Sequence, residues 1–138
     1  MTDPLVVEQH VAAAPEALWS AWTSAEGLAR WWWPHLPDAT YGVDGKPGGR
    51  YRIESTAAGI GVQGEFLEVE EPHGLVLTWQ WLEAGVPGPV DRVAVELIRD
   101  GDGTLVRVTH LMSEDQTHDG YRVGWTDVLN RLASRPAE

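Results

Sequence analysis

The chain reads as an α+β protein in which a curved antiparallel sheet of about six to seven strands wraps a long C-terminal helix, with two short helices after the first strand. Two periodicities carry this reading. From about residue 40 to residue 112 apolar residues recur at every second position between turn-forming stretches, as in half-buried strands, and in the segments after Pro15 and after Met112 they recur at helical spacing. A third observation sets the character of the interior. Eight tryptophans occur in 138 residues, three of them consecutive as Trp31, Trp32 and Trp33. Each indole buries on the order of 150 to 250 Å² and wants a partner for its N–H, so such a cluster implies a roomy, partly apolar interior or a contact surface.

Leu5 to Val11, rich in valine, opens the chain as a strand, and Pro15 then sits in the first turn of a helix, where its missing N–H is harmless. Leu18, Trp19 and Trp22 make that helix's apolar face. A second helix is capped by Thr23 or Ser24, with Glu26 three residues after Thr23, and is expected to run through Leu28 and the tryptophan triplet until Pro34 stops it. Five stretches then separate strands: residues 45–49, 57–59, 72–74, 85–89 and 100–103. Alternation is cleanest in Leu75, Leu77, Trp79, Trp81, in Val93, Val95, Leu97, and in Val106, Val108, His110, so one face of the sheet is buried. Arg52 and Glu65 are expected to pair across neighbouring strands. Ser113 and Gln116 form a capping box for a final helix over residues 114–134, with Glu114 and Asp115 at its positive end and Arg131 and Arg135 at its negative end. Its stripe is Tyr121, Trp125, Val128, Leu129 and Leu132, facing the concave side of the sheet. Gly120 and Gly124 lie mid-helix, where glycine costs about 1 kcal/mol against alanine; they signal close approach or deliberate empty space.

Composition narrows the function classes. Residues 1–138 are the length of one domain. Net charge is −11, with one lysine, Lys46, among ten basic residues, so no basic stripe exists to neutralise phosphates, and nucleic-acid binding is not expected. With no cysteine there is neither a disulfide framework nor a thiolate site. Neither a signal peptide nor an 18-residue apolar run is present, so membrane insertion is not expected and a cytoplasmic protein is. No phosphate loop is built at Gly45-Lys46, because Pro47 replaces the Ser or Thr, and no Gly-x-Ser-x-Gly elbow occurs. The five histidines show no paired spacing that would converge two ligands, so no metal and no cofactor is expected.

Several motifs in order carry a resemblance: Pro15-Glu16-Ala17-Leu18-Trp19, Glu26 with Arg30-Trp31-Trp32, Pro34, Gly48-Gly49-Arg50-Tyr51, Gly64-Glu65-Phe66, Leu75 to Trp79, Gly103-Thr104 with Thr109-His110, and Gly124-Trp125 with Leu129 and Leu132. Over residues 5–133 the chain resembles the heat-shock-protein-90 ATPase activator homologue family, part of the SRPBCC or START-like superfamily of helix-grip folds. Trp33 departs from that family's pattern, which commonly has a smaller residue there. Chaperone activation is not carried over, since the members that stimulate the chaperone have a further domain. The resemblance implies a cavity between the sheet and the final helix. Relatives use such cavities for lipids, hormones and polyketides, and a minority cyclise, dehydrate or hydrolyse a substrate there.

Applied to this chain, the cavity reading assigns ligand contacts to Trp32, Tyr51, Ile53, Phe66, Leu77, Trp79, Trp81, His110, Tyr121, Trp125 and Leu129, with a hydrophobic small molecule as partner. The tryptophans of the triplet are about 100° apart on a helix, so at least one should be exposed or roof the cavity mouth, Trp32 being the roof; the plainer reading makes them all core. His110 and Tyr121 are the acid–base candidates of an alternative cyclase, dehydratase or hydrolase. The plainer reading of His110 is a buried ring satisfied by a backbone or tyrosine partner. A third class is a homodimer or client-binding module that uses exposed tryptophan or the outer sheet face.

Overall fold

The computed structural model describes residues 4–112 and 118–134. Strand β1 (Leu5–Val11) forms where the valine-rich segment predicts it. Helix α1 (Pro15–Thr23) starts on Pro15, and α2 (Ala25–Ala29) is capped by Ser24, whose Oγ accepts the Gly27 N–H at 3.0 Å. Then come β2 (Thr40–Val43), β3 (Arg50–Ser55), β4 (Ile60–Glu70), β5 (Gly74–Glu83), β6 (Val86–Asp100), β7 (Gly103–Leu111) and α3 (His118–Ser134).

The seven strands make one antiparallel sheet in the order β1-β7-β6-β5-β4-β3-β2. Consecutive strands from β2 to β7 pair as hairpins, while α1 and α2 carry the chain from β1 at one edge to β2 at the other. Bulges between Phe66 and Glu68 and between Gln80 and Leu82 bend the middle of the sheet. On its inner face Val62, Phe66, Leu75, Leu77, Trp79, Val93, Val95, Leu97, Val106 and Val108 are buried, and α3 lays Trp125, Val128, Leu129 and Leu132 into the same core. Each such side chain contributes about 1.5–3 kcal/mol of transfer free energy, so this face and stripe hold the fold together.

Two expectations need amendment. Helix α2 ends at Ala29 instead of reaching Pro34. A continued helix would have splayed the three indoles around its axis; with the helix broken, Trp31, Trp32 and Trp33 are all buried. Arg52 does not face Glu65: the register places Gln63 opposite Arg52 and Arg50 opposite Glu65. Arg52 instead donates to Gln63 Oε1 at 3.0 Å and to Glu54 Oε1 at 3.1 Å. The expected start of the last helix and its caps, Ser113, Glu114, Asp115, Gln116 and Arg135, lie outside the described residues.

Candidate functional site

The site begins with the broken end of α2. Trp31 turns back toward α1, where its indole N–H donates to the Ala21 carbonyl at 2.9 Å and its ring lies 4.7 Å from that of Trp22. Trp32 turns the other way, against Trp79 of β5 at 5.9 Å and Trp125 of α3 at 5.6 Å. Trp33 meets Trp81 edge-on, 6.0 Å away at 90°. The Gly27 and Leu28 carbonyls at the end of α2 accept from the backbone N–H groups of Arg30, Trp31 and Trp32, and the carbonyls of the turn beyond are claimed by Arg131 of α3, which donates to Trp31 O at 3.1 Å and to Trp32 O at 2.7 Å. Tyr41 accepts the Trp33 N–H at 3.0 Å. Beyond the triplet, Asp38 accepts from Ser55 Oγ at 2.6 Å, Thr56 Oγ1 at 3.2 Å and the Ala57 N–H at 2.9 Å, tying the loop to the β3–β4 turn.

Between this segment, the sheet and α3 lies a cavity of about 310 Å³ lined by Trp32, Trp33, Trp79, Trp81, Gly120, Tyr121, Gly124, Trp125 and Val128. That is about twice the roughly 150 Å³ known to accept benzene in an apolar protein interior, room for two or three rings. Gly120 and Gly124, one turn apart on α3, help to keep it open: among the described residues, a Cβ added to either meets no heavy atom within 4 Å. Close packing therefore does not account for these glycines, and empty space does.

Beneath the lining a polar chain is sealed from solvent. Trp125 Nε1–H donates to His110 Nδ1 at 3.0 Å, and His110 Nε2 lies 2.8 Å from Asp91 Oδ2. An indole nitrogen only donates, so Nδ1 must be the acceptor, the ring is neutral, and its one proton sits on Nε2, directed at the Asp91 carboxylate. The side chains of His110 and Asp91 are completely buried. The Tyr121 ring stacks 4.6 Å from the imidazole, and burial, reinforced by the Asp91 charge, holds its phenol above the ordinary range. Two lining residues are less well served. The indole N–H groups of Trp32 and Trp79 are buried with no acceptor among the described residues, which costs about 1–3 kcal/mol each.

Of the residues expected at the ligand, Trp32, Trp79, Trp81, Tyr121 and Trp125 come together around the cavity. Tyr51, Ile53, Phe66, Leu77, Leu129 and His110 are buried outside its lining. Tyr51 packs on Phe66 at 5.6 Å and sends its hydroxyl to the Thr78 carbonyl at 2.6 Å. It passes below Gly64, where a Cβ would come 2.0 Å from that carbonyl oxygen and 2.8 Å from the Tyr51 ring. Burial pushes the Tyr51 phenol far up. His110 offers no lone pair to the cavity, because both ring nitrogens are engaged. Trp33, Gly120, Gly124 and Val128 join the lining without having been assigned to it. Asp91 was also missed, although continuing the alternation of Val93, Val95 and Leu97 one step back places it on the inner face. Among the described residues no three His, Asp or Glu side chains are grouped to hold a metal, and no helix is long and apolar enough to cross a membrane.

A seven-stranded antiparallel sheet with two helices after its first strand and a final helix on its inner face is the helix-grip architecture. Residues 12–135 match the family model described as activator of Hsp90 ATPase homolog 1-like protein, and the chain belongs to that family. Its architecture is shared with CalU16 from Micromonospora echinospora, at 25% identity and a TM-score of 0.73 over 94% of this chain and 73% of that one. DynU16, a putative protein in the dynemicin biosynthetic locus, is 23% identical with a TM-score of 0.79 over 96% of this chain, which spans 46% of DynU16. PFC0360w, an HSP90 activator from Plasmodium falciparum, is 23% identical with a TM-score of 0.71, over 95% of this chain and 94% of its own. Among curated proteins none matches the chain.

Proposed function

We propose that this chain is a cytoplasmic ligand-binding protein that takes an apolar, ring-containing small molecule between α3 and the sheet. The observation that carries this reading is the 310 Å³ aromatic cavity bordered by two helical glycines that no neighbour among the described residues requires. Mid-helix glycine costs about 1 kcal/mol relative to alanine, and retaining two of them to preserve empty space makes sense when something fills the space. A fold shared with a protein from a biosynthetic locus agrees with a small-molecule ligand. Acid–base catalysis by His110 has no support in the geometry, since its lone pair accepts the Trp125 N–H and its proton faces Asp91.

The test is a panel of fatty acids, sterols and two- to three-ring aromatics, read by tryptophan emission and thermal unfolding. A ligand that binds only the folded state adds about 2.7 kcal/mol of stability at 100 times its Kd. With five of the eight tryptophans on the lining, emission should shift with the melting temperature. No emission change and no melting shift across the whole panel would sink the reading.

A further inference from the structure

We propose, building on the small-molecule reading above, that the cavity selects a ligand bearing an alkylated ammonium group on its apolar body, because five tryptophans and a tyrosine line it and a buried carboxylate stands behind one wall. A cation within about 6 Å of an indole or phenol centroid is attracted by the ring quadrupole, and a desolvated one most strongly. Trp32, Trp79 and Trp125 lie 4.9 to 5.9 Å from one another, in mutual contact, and so form one continuous aromatic wall that a cation approaches from the cavity side. Trp33 and Trp81 extend the wall.

Charge points the same way. No lysine or arginine is among the described lining residues, and Arg131 directs its guanidinium to the Trp31 and Trp32 carbonyls. The Asp91 carboxylate, though outside the lining, is coupled to it twice. Its field reaches Tyr121. It also accepts from His110, which accepts from Trp125, and such a chain polarises each member, leaving the Trp125 ring richer in electron density and a better host for a cation. A net charge of −11 concentrates cations around the molecule and repels carboxylates.

Benzyltrimethylammonium and its carbon isostere neopentylbenzene share one shape and differ by one charge. Each is titrated into the full chain by calorimetry and tryptophan emission. The cation is expected to bind about tenfold tighter or more, although the isostere is the more readily desolvated of the two. Trp32→Leu and Asp91→Asn should each weaken the cation by about tenfold and leave the isostere within about threefold, with circular dichroism confirming that the variants fold. If Asp91→Asn fails to fold, the wild-type comparison and Trp33→Leu decide. An isostere that binds as tightly as the cation overturns the ammonium inference and leaves small-molecule binding standing. Neither probe binding while the neutral panel binds has the same meaning, and failure of both probes and the panel overturns both readings.

Discussion

His110 and Trp125 show how much one hydrogen bond decides. An imidazole with a free lone pair serves as a base, and the direction of the Trp125 N–H makes this one a fixed support for the cavity wall instead. Trp79 packs 4.9 Å from Trp125, yet its own N–H is unpaired among the described residues. Replacing either by phenylalanine removes the same part of a ring. Trp125→Phe also strips His110 Nδ1 of its donor in a buried site, while Trp79→Phe removes a donor without an acceptor. Trp125→Phe is therefore expected to be the more destabilising by about 1–3 kcal/mol, measured by urea unfolding. Equal losses would mean that the buried chain does not contribute.

At the scale of elements, α3 gives up helix stability for space. Gly124→Ala should raise stability by about 1 kcal/mol, roughly 3 °C in melting temperature, because the added methyl meets nothing within 4 Å among the described residues. Gly124→Leu should fill the cavity and abolish the ligand-induced melting shift. A destabilised Gly124→Ala would show that the glycine serves packing after all. The loop after the triplet depends on Asp38, whose carboxyl is held below its ordinary range chiefly by the Ser55 hydroxyl and then by the Ala57 N–H. A depressed folded-state value means that the unfolded chain binds the proton first as pH falls. The contribution is thus complete above the unfolded value of about 3.9 and is lost as pH drops through the lower folded one. Asp38→Asn should accordingly flatten the stability profile below about pH 4, followed by urea midpoints from pH 2 to 7. An unchanged acid limb would show that the loop is held by something else.

For the whole molecule, the sheet and α3 are one core with a hollow at one end, and ligand binding should act on the cooperative unit rather than on a single loop. A ligand held by Trp32, Trp81 and Trp125 touches the α2 end, the sheet and α3 together. Hydrogen exchange is therefore expected to slow in all three on binding, with protection confined to one of them counting against the cavity as the site.

What the sequence determined by itself is the local pattern. The valines of β1, the alternation of β5 to β7 and the Gly-bearing turns between them specify strands and inner-face residues, because side-chain direction in a strand repeats every two positions regardless of partner. The apolar stripe of α3 was legible from its helical spacing, and the aromatic character of the interior from composition. Tertiary structure alone decided where α2 ends, since three adjacent indoles bury together only where α1 receives Trp31, β5 and α3 receive Trp32 and β5 receives Trp33, with Arg131, one hundred residues from Trp31, taking the carbonyls of that turn. It alone decided Asp91, an acid whose burial is tolerable because His110, nineteen residues on, donates to it. Partner and acceptor come from different strands and a helix, and no local period encodes that meeting. The division between cavity wall and plain core among inward residues was settled in the same way, by the bend of the sheet and by two glycines whose missing side chains matter only once α3 is seated.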